Sequence, residues 1–88
     1  MIITRNQLLA AEHIIGVEAI IYVELLKDEV ILRAELIQNG TIEFYQEVLS
    51  RSQIKAAPSD GYILKRFAEN AGQYSMYKSA KKNRERGL

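Results

Sequence analysis

The spacing of apolar residues changes twice along the chain, and each change predicts a new kind of element. Near the N-terminus the apolar positions recur every three or four residues, at Leu8, Ala11 and Ile15. This spacing is typical of one buried face of a helix. Thr4 and Gln7 have the spacing of a capping box, and Gly16 is placed to end the helix. The pattern therefore predicts a helix over residues 5–15.

From residue 18 onward, apolar and polar residues alternate with a period of two, which indicates strands. One run covers residues 18–26, and a second covers residues 30–37 after a polar break. Asn39-Gly40 then predicts a tight hairpin, because a type I′ turn needs positive φ at both central residues. A third strand, residues 41–49, completes a predicted antiparallel meander. A helix over residues 17–38 remains an alternative, since Glu, Leu and Ala are good helix formers.

The alternation also predicts which side chains share a face of the sheet. One face is expected to be apolar throughout, and Ile42, Phe44 and Val48 are assigned to it as a continuation of Leu36. The other face is expected to mix apolar groups with carboxylates, and the third strand contributes Glu43, Tyr45 and Glu47 to it. We expect Glu43 to lie near Ile37 or Glu35, and Glu47 near Arg33 or Ile31. Such a mixed face is typical of a surface that something else partly covers, although exposed strands also tolerate scattered Ile and Tyr.

The second half of the chain predicts a connection, a helix and a basic extension. Residues 50–61 contain the only proline and are interpreted as a long connection across the sheet. A helix capped by Ser59 or Asp60 follows, with its apolar stripe at Ile63, Phe67 and Ala71. It either ends at Gly72 or continues weakly to Tyr77. The predicted fold class is α+β, a single domain of order α-β-β-β-α over residues 1–72 with a basic C-terminal helical extension or tail over residues 73–88.

Length and composition narrow the class of protein. A chain of 88 residues, 48% of them apolar, is long enough for one small globular core. The absence of cysteine excludes disulfides, thiolate nucleophiles and cysteine-ligated metal sites. No signal peptide is visible, and no apolar run is long enough to span a bilayer. We therefore expect a cytoplasmic protein with no membrane contact.

The net charge of +1 conceals a marked asymmetry between the two halves of the chain. Residues 1–50 carry three basic and eight acidic side chains, a net charge of −5. Residues 51–88 carry nine basic and three acidic side chains, a net charge of +6. The sequence thus predicts an acidic body with a basic C-terminal region.

No residue pattern points to catalysis. His13 is the only histidine, and the sequence places no second histidine or cysteine to share a metal with it. The carboxylates are interpreted as solvated strand residues, one of them paired with Arg33, and no phosphate-binding glycine motif is present. We expect a protein that is not an enzyme and that uses no cofactor and no metal.

The basic C-terminal region supports the leading hypothesis, contact with DNA or RNA. Cations supply affinity for a phosphate backbone, and aromatic rings stack on bases. The candidate residues that combine these two properties are Lys65, Arg66, Tyr74, Tyr77, Lys78, Lys81, Lys82, Arg84 and Arg86. The alternative is that the tyrosines pack the helix and that the cations only solubilise the C-terminus.

The acidic half supports a second hypothesis, a protein-binding or inhibitory module of the kind that accompanies mobile elements. Its mixed sheet face would dock a basic host protein or mimic a nucleic acid. The candidate residues on that face are Tyr22, Glu24, Glu35, Glu43, Tyr45 and Glu47. A homodimer, in which the acidic sheet of one copy meets the basic tail of another, is a third possibility.

The element order is similar to that of double-stranded RNA-binding domains, and the length is close. That family begins its second helix with a lysine cluster aimed at phosphates. In this chain residues 59–62 occupy that place, and the basic residues 78–82 follow about four helical turns later. The resemblance is therefore one of topology, and it implies no membership in the family.

Overall fold

The computed structural model describes the backbone of residues 1–86 and the side chains of residues 1–80. The elements follow the order α1 (Arg5–Ile15), β1 (Glu18–Leu25), β2 (Glu29–Gln38), β3 (Thr41–Ser50), α2 (Arg51–Ala56) and α3 (Asp60–Arg86). The three strands form one antiparallel sheet in the order β1-β2-β3. The α+β fold and the meander predicted from the sequence are confirmed, and the helical alternative for residues 17–38 is wrong.

Local sequence signals explain the beginning and end of α1. The Thr4 hydroxyl accepts a hydrogen bond from the Gln7 backbone N–H at 3.2 Å, and the Gln7 side chain accepts one from the Thr4 N–H at 2.9 Å. Gly16 ends the helix in the left-handed conformation with φ 83°, and its N–H donates to the carbonyl of His13. The predicted capping box and glycine stop are both confirmed.

The β2–β3 hairpin is closed by the predicted two-residue turn. Asn39 and Gly40 have φ values of 53° and 76°, as a type I′ turn requires. Gln38 pairs with Thr41, so Leu36 pairs with Glu43, Ala34 with Tyr45 and Leu32 with Glu47. Every even-numbered residue of β2 therefore lies beside an odd-numbered residue of β3.

This register corrects the predicted facing of β3. Glu43, Tyr45 and Glu47 lie on the face that the helices cover, and Ile42, Phe44 and Val48 lie on the opposite face. The expected neighbours of Glu43 and Glu47 are each wrong by one residue for the same reason. Because side chains alternate along a strand, an error of one residue in the register exchanges the two faces completely.

The connection predicted over residues 50–61 contains an additional helix, α2. Ser50 and Gln53 form a second capping box, with the Ser50 hydroxyl accepting from the Gln53 N–H at 3.2 Å and the Gln53 side chain accepting from the Ser50 N–H at 2.7 Å. Ile54 packs against the edge of the core. The predicted long connection therefore includes a short helix, Arg51–Ala56, that the sequence did not indicate.

The core lies between one face of the sheet and the helices α1 and α3. Its most buried large side chains are Leu32 and Leu36 of β2 and Leu64 and Phe67 of α3. The two helices approach closely at Gly72, where an added Cβ atom would lie 3.0 Å from the carbonyl oxygen of Ile15. The helix α3 continues through Gly72 without a break, so of the two predicted alternatives the continuation to Tyr77 is confirmed and the stop at Gly72 is wrong.

Candidate interaction surfaces

The face of the sheet that points away from the helices is here called the outer face. Twelve of its side chains form four rows that cross all three strands, β1, β2 and β3. From the hairpin end the rows are Glu18, Ile37, Ile42; then Ile20, Glu35, Phe44; then Tyr22, Arg33, Gln46; then Glu24, Ile31, Val48.

The outer face is more apolar than the solvent-exposed face of an antiparallel sheet ordinarily is. Seven of the twelve side chains in these rows are apolar or aromatic, and five large ones are 43 to 56% exposed, namely Ile20, Tyr22, Ile42, Phe44 and Val48. An antiparallel sheet with one solvated face ordinarily presents polar residues there. The outer face instead has the composition of a surface that becomes covered.

A polar cluster lies at the centre of the outer face. The Tyr22 hydroxyl donates a hydrogen bond to Glu35 Oε2 at 3.1 Å, which raises the pKa of the Tyr22 hydroxyl. The Arg33 guanidinium carbon lies 5.9 Å from the centre of the Tyr22 ring. Tyr22 of β1 thus contacts both the cation Arg33 and the carboxylate Glu35 of β2.

The protein-binding residues predicted from the sequence do not share one surface. Tyr22, Glu24 and Glu35 lie on the outer face, whereas Glu43, Tyr45 and Glu47 point to the helices. Sequence reasoning missed Ile42, Phe44 and Val48 as surface residues. The Asn39-Gly40 turn could have predicted their exposure. A two-residue loop at 39–40 pairs even positions of β2 with odd positions of β3, so Ile42, Phe44 and Val48 cannot share a face with Leu36.

On the helix side, Tyr45 joins β3 to α3. Its ring lies 5.6 Å from that of Phe67 and 5.4 Å from that of Tyr74. Its hydroxyl donates to Glu47 Oε2 at 2.7 Å, and the Asn70 side chain donates to the same oxygen at 3.1 Å. Burial, followed by the hydrogen bond to the Glu47 carboxylate and its charge, raises the pKa of Tyr45 to about 12. These residues connect the sheet to the helix, and Tyr45 and Glu47 are partly buried there.

The predicted nucleic-acid residues on α3 point in several directions. Tyr74 is half-buried against Tyr45, and Lys78 Nζ lies 5.6 Å from the centre of the Tyr74 ring. Lys65 borders α1 beside Gln7 and Ile14.

Arg66 and Tyr77 are exposed and lie eleven residues apart, which places them on nearly the same side of the helix, separated by about 16 Å. The side chains of Lys81, Lys82, Arg84 and Arg86 lie outside the described residues. The described cations therefore do not converge on one patch.

A groove of about 690 Å³ runs between the C-terminal end of α1 and the second half of α3. The groove is lined by Ile14, Gly72 and Met76, among other residues. Gln38 also lines it and contacts α3 there: its side chain accepts a hydrogen bond from the Ser75 hydroxyl at 3.2 Å and donates one to the Ser79 hydroxyl at 3.4 Å. Glu69 is its one ionisable lining residue among the described side chains.

Within the described residues, no group of three or more His, Asp or Glu side chains is placed to hold a metal ion. Among the described helices, none combines the length and apolar character that crossing a bilayer requires. Comparison of the chain with protein-family models, with curated proteins and with solved structures found no match.

Proposed function

We propose that this protein is a non-enzymatic protein-binding module that acts through the outer face of its sheet. The observation that carries the proposal is the group of five large apolar side chains, 43 to 56% exposed, on one side of a single sheet. Covering them removes apolar surface from water, which is the main driving force of protein association.

The test uses the tagged full-length chain as bait in an extract of its native cell, with an untagged second copy present. Phe44→Ser removes the largest exposed apolar group of β3, and Lys55→Glu on α2 serves as the control surface variant. Proteins retained by the wild type and by Lys55→Glu, but lost with Phe44→Ser, are purified and their binding is measured directly. Equal retention by all three baits would overturn the proposal.

A second candidate function is contact with a nucleic acid through the C-terminal part of α3. One observation favours it: α3 continues as a helix to Arg86, so the basic residues from Lys78 onward belong to one element. Tyr77, which is 64% exposed, offers a ring for base stacking at the start of this stretch. Contact through phosphates would make the affinity fall steeply with salt.

The experiment for this candidate is fluorescence anisotropy of a labelled single-stranded oligonucleotide, titrated with the protein at about 50 mM and about 200 mM salt. Lys81→Glu/Lys82→Glu reverses two charges at constant chain length and should abolish binding. Lys55→Glu provides the same kind of charge change on α2 and should bind nearly as well as the wild type. No binding by the wild type at the lower salt concentration would overturn this candidate.

A further inference from the structure

The arrangement of side chains on the outer face is complementary to itself under one particular rotation. We propose that two copies of this chain pack sheet against sheet through their outer faces, related by a two-fold axis that lies in the interface perpendicular to β2. This inference rests on the proposed function, because it names the partner of the same surface. Each Arg33 then lies opposite the Glu35 of the other copy.

The rows of the outer face determine this pairing. The axis passes between the row of Glu35 and the row of Arg33, so each row of one copy faces a specific row of its partner. The pairs are Arg33 with Glu35, Ile37 with Ile31, Ile42 with Val48, Ile20 with Tyr22, Phe44 with Gln46 and Glu18 with Glu24. Apolar side chains thus meet on either side of two central ion pairs, and the two like-charged Glu18–Glu24 contacts lie on the edge strand β1.

The alternative face-to-face rotation, about an axis parallel to β2, is electrostatically unfavourable. It would place Arg33 opposite Arg33 and Glu35 opposite Glu35 at the centre of the interface. Like charges in a partly desolvated contact repel strongly, which selects against this arrangement. Aligned sheets cross at about 30° and lie about 10 Å apart. The central residues nearest the axis are displaced least by such a crossing angle, so the Arg33–Glu35 pairing tolerates it.

The area of the outer face fits a reversible dimer. Three strands about 4.8 Å apart with four outward side chains each present a patch of roughly 15 by 25 Å. The two patches would together bury on the order of 1,000 Å², which lies at the lower limit for a specific interface. We therefore expect a concentration-dependent dimer with a Kd on the order of micromolar.

The test is sedimentation velocity of the full chain from about 1 to about 500 µM, a range that brackets the expected Kd. The wild type should shift from monomer to dimer across this range. Arg33→Glu places two carboxylates opposite each other, and Glu35→Arg places two guanidinium groups opposite each other. Each single variant should weaken dimerisation at least about tenfold.

The double variant Arg33→Glu/Glu35→Arg decides between the possible partners. It recreates the ion pairs with reversed polarity, so it should restore dimerisation to within about threefold of the wild type. Restoration requires that residue 33 of one copy faces residue 35 of the other, which neither a different partner protein nor the alternative axis provides. Lys55→Glu controls for the change in net charge of Arg33→Glu, the double variant has the net charge of the wild type, and circular dichroism of each variant confirms that it is folded.

Each remaining outcome overturns the inference. A wild type that stays monomeric at every concentration rejects the dimer, while capture of another protein by the wild type and not by Phe44→Ser would still support the proposed function. A wild-type dimer that both single variants leave intact rejects this interface, and points to pairing at a sheet edge. Single variants that dissociate the dimer without rescue in the double variant reject the proposed axis.

Discussion

Tyr45 shows how one residue reports on the contact between sheet and helix. Its pKa is raised to about 12, first by burial and then by the hydrogen bond to Glu47 and its charge. The folded state therefore keeps the Tyr45 proton at a pH at which the unfolded chain, with a tyrosine pKa near 10, has lost it. Under linkage, this contribution to stability is fully present below about pH 10 and is lost as the pH rises toward about 12.

We predict that Tyr45→Phe removes the highest of the tyrosinate steps in a spectroscopic titration at 295 nm. Glu47→Gln should move that step to lower pH, because the carboxylate charge is lost while the burial of Tyr45 remains. Tyr77→Phe is the control, since Tyr77 is exposed and its removal should leave the highest step in place. A Glu47→Gln titration identical to that of the wild type would contradict this account.

Gly72 is required by the close crossing of the helices α1 and α3. In an open helix interior Gly→Ala stabilises by about 1 kcal/mol, because alanine has the higher helix propensity. At Gly72 the new methyl group would lie 3.0 Å from the Ile15 carbonyl oxygen and 3.5 Å from the Ile15 Cα atom, both parts of the backbone. We expect overpacking to exceed the gain in propensity and Gly72→Ala to destabilise by about 1–2 kcal/mol.

Gly61→Ala in the same helix is the matched control for this prediction. There the nearest atom to the new methyl group would be the flexible Gln7 side-chain nitrogen at 3.4 Å. We expect Gly61→Ala to be neutral or to stabilise by up to about 1 kcal/mol, as measured by urea denaturation. Equal effects of the two substitutions would show that the helices α1 and α3 can move apart at Gly72 at little cost in free energy.

At the scale of elements, the sequence predicted most boundaries, because each depends on a local signal. Capping residues and the Asn39-Gly40 turn act over three or four residues, so α1 and the hairpin follow from the chain itself. The facing of β3 was also available from the turn, but the hydrophobicity of Ile42, Phe44 and Val48 favoured the wrong face. Hydrophobicity misleads in this strand because Ile42, Phe44 and Val48 cover no core of their own chain, whereas Tyr45 and Leu49 pack against it.

Other features depend on contacts between distant parts of the chain, and the sequence left them open or did not indicate them. Tyr74 and Ser75 continue α3 past Gly72 because they pack against the sheet, and Ser75 is only 3% exposed. Nothing in the spacing of apolar residues indicates that a serine is buried there. Its partner, Gln38, lies thirty-seven residues away in the sequence.

The short helix α2 offers a test of local capping. Ser50→Ala removes the hydroxyl that accepts from the Gln53 N–H, and should lower the free energy of unfolding by about 1 kcal/mol. Ser52 is exposed within the same helix, so Ser52→Ala should leave stability within about 0.5 kcal/mol of the wild type. The measurement is urea denaturation followed by circular dichroism. A larger loss from Ser52→Ala than from Ser50→Ala would contradict the capping assignment.

At the scale of the whole molecule, the position at which the chain can be shortened follows from the packing of α3. A chain ending at Gly72 loses the Tyr74 ring against Tyr45 and the buried Ser75. Removing a fully buried aromatic side chain costs about 3 kcal/mol or more, and this truncation removes the half-buried Tyr74 together with the buried Ser75. We predict that residues 1–80 unfold cooperatively with nearly the stability of the full chain, whereas residues 1–72 are severely destabilised.

Thermal unfolding of the two truncated chains beside the full chain checks this prediction. Tyr74→Ala in the full chain should account for a large part of the loss seen with residues 1–72. If residues 1–72 instead unfold at the same temperature as the full chain, the segment after Gly72 is an independent extension, as the sequence alone predicts.

The packing of α1 against α3 also constrains when the chain can fold during its synthesis. The Ile2 N–H donates to Asp60 Oδ2 at 2.8 Å across fifty-eight residues, and Ala11 and Ile15 share a core with Ala68 and Ala71. The ribosome adds roughly 5–20 residues each second. The first helix and the three strands are therefore synthesised several seconds before α3, which packs against them, is complete. During that interval both faces of the sheet are apolar and open. A chaperone that binds nascent apolar strands would therefore meet this protein before α3 can compete with it.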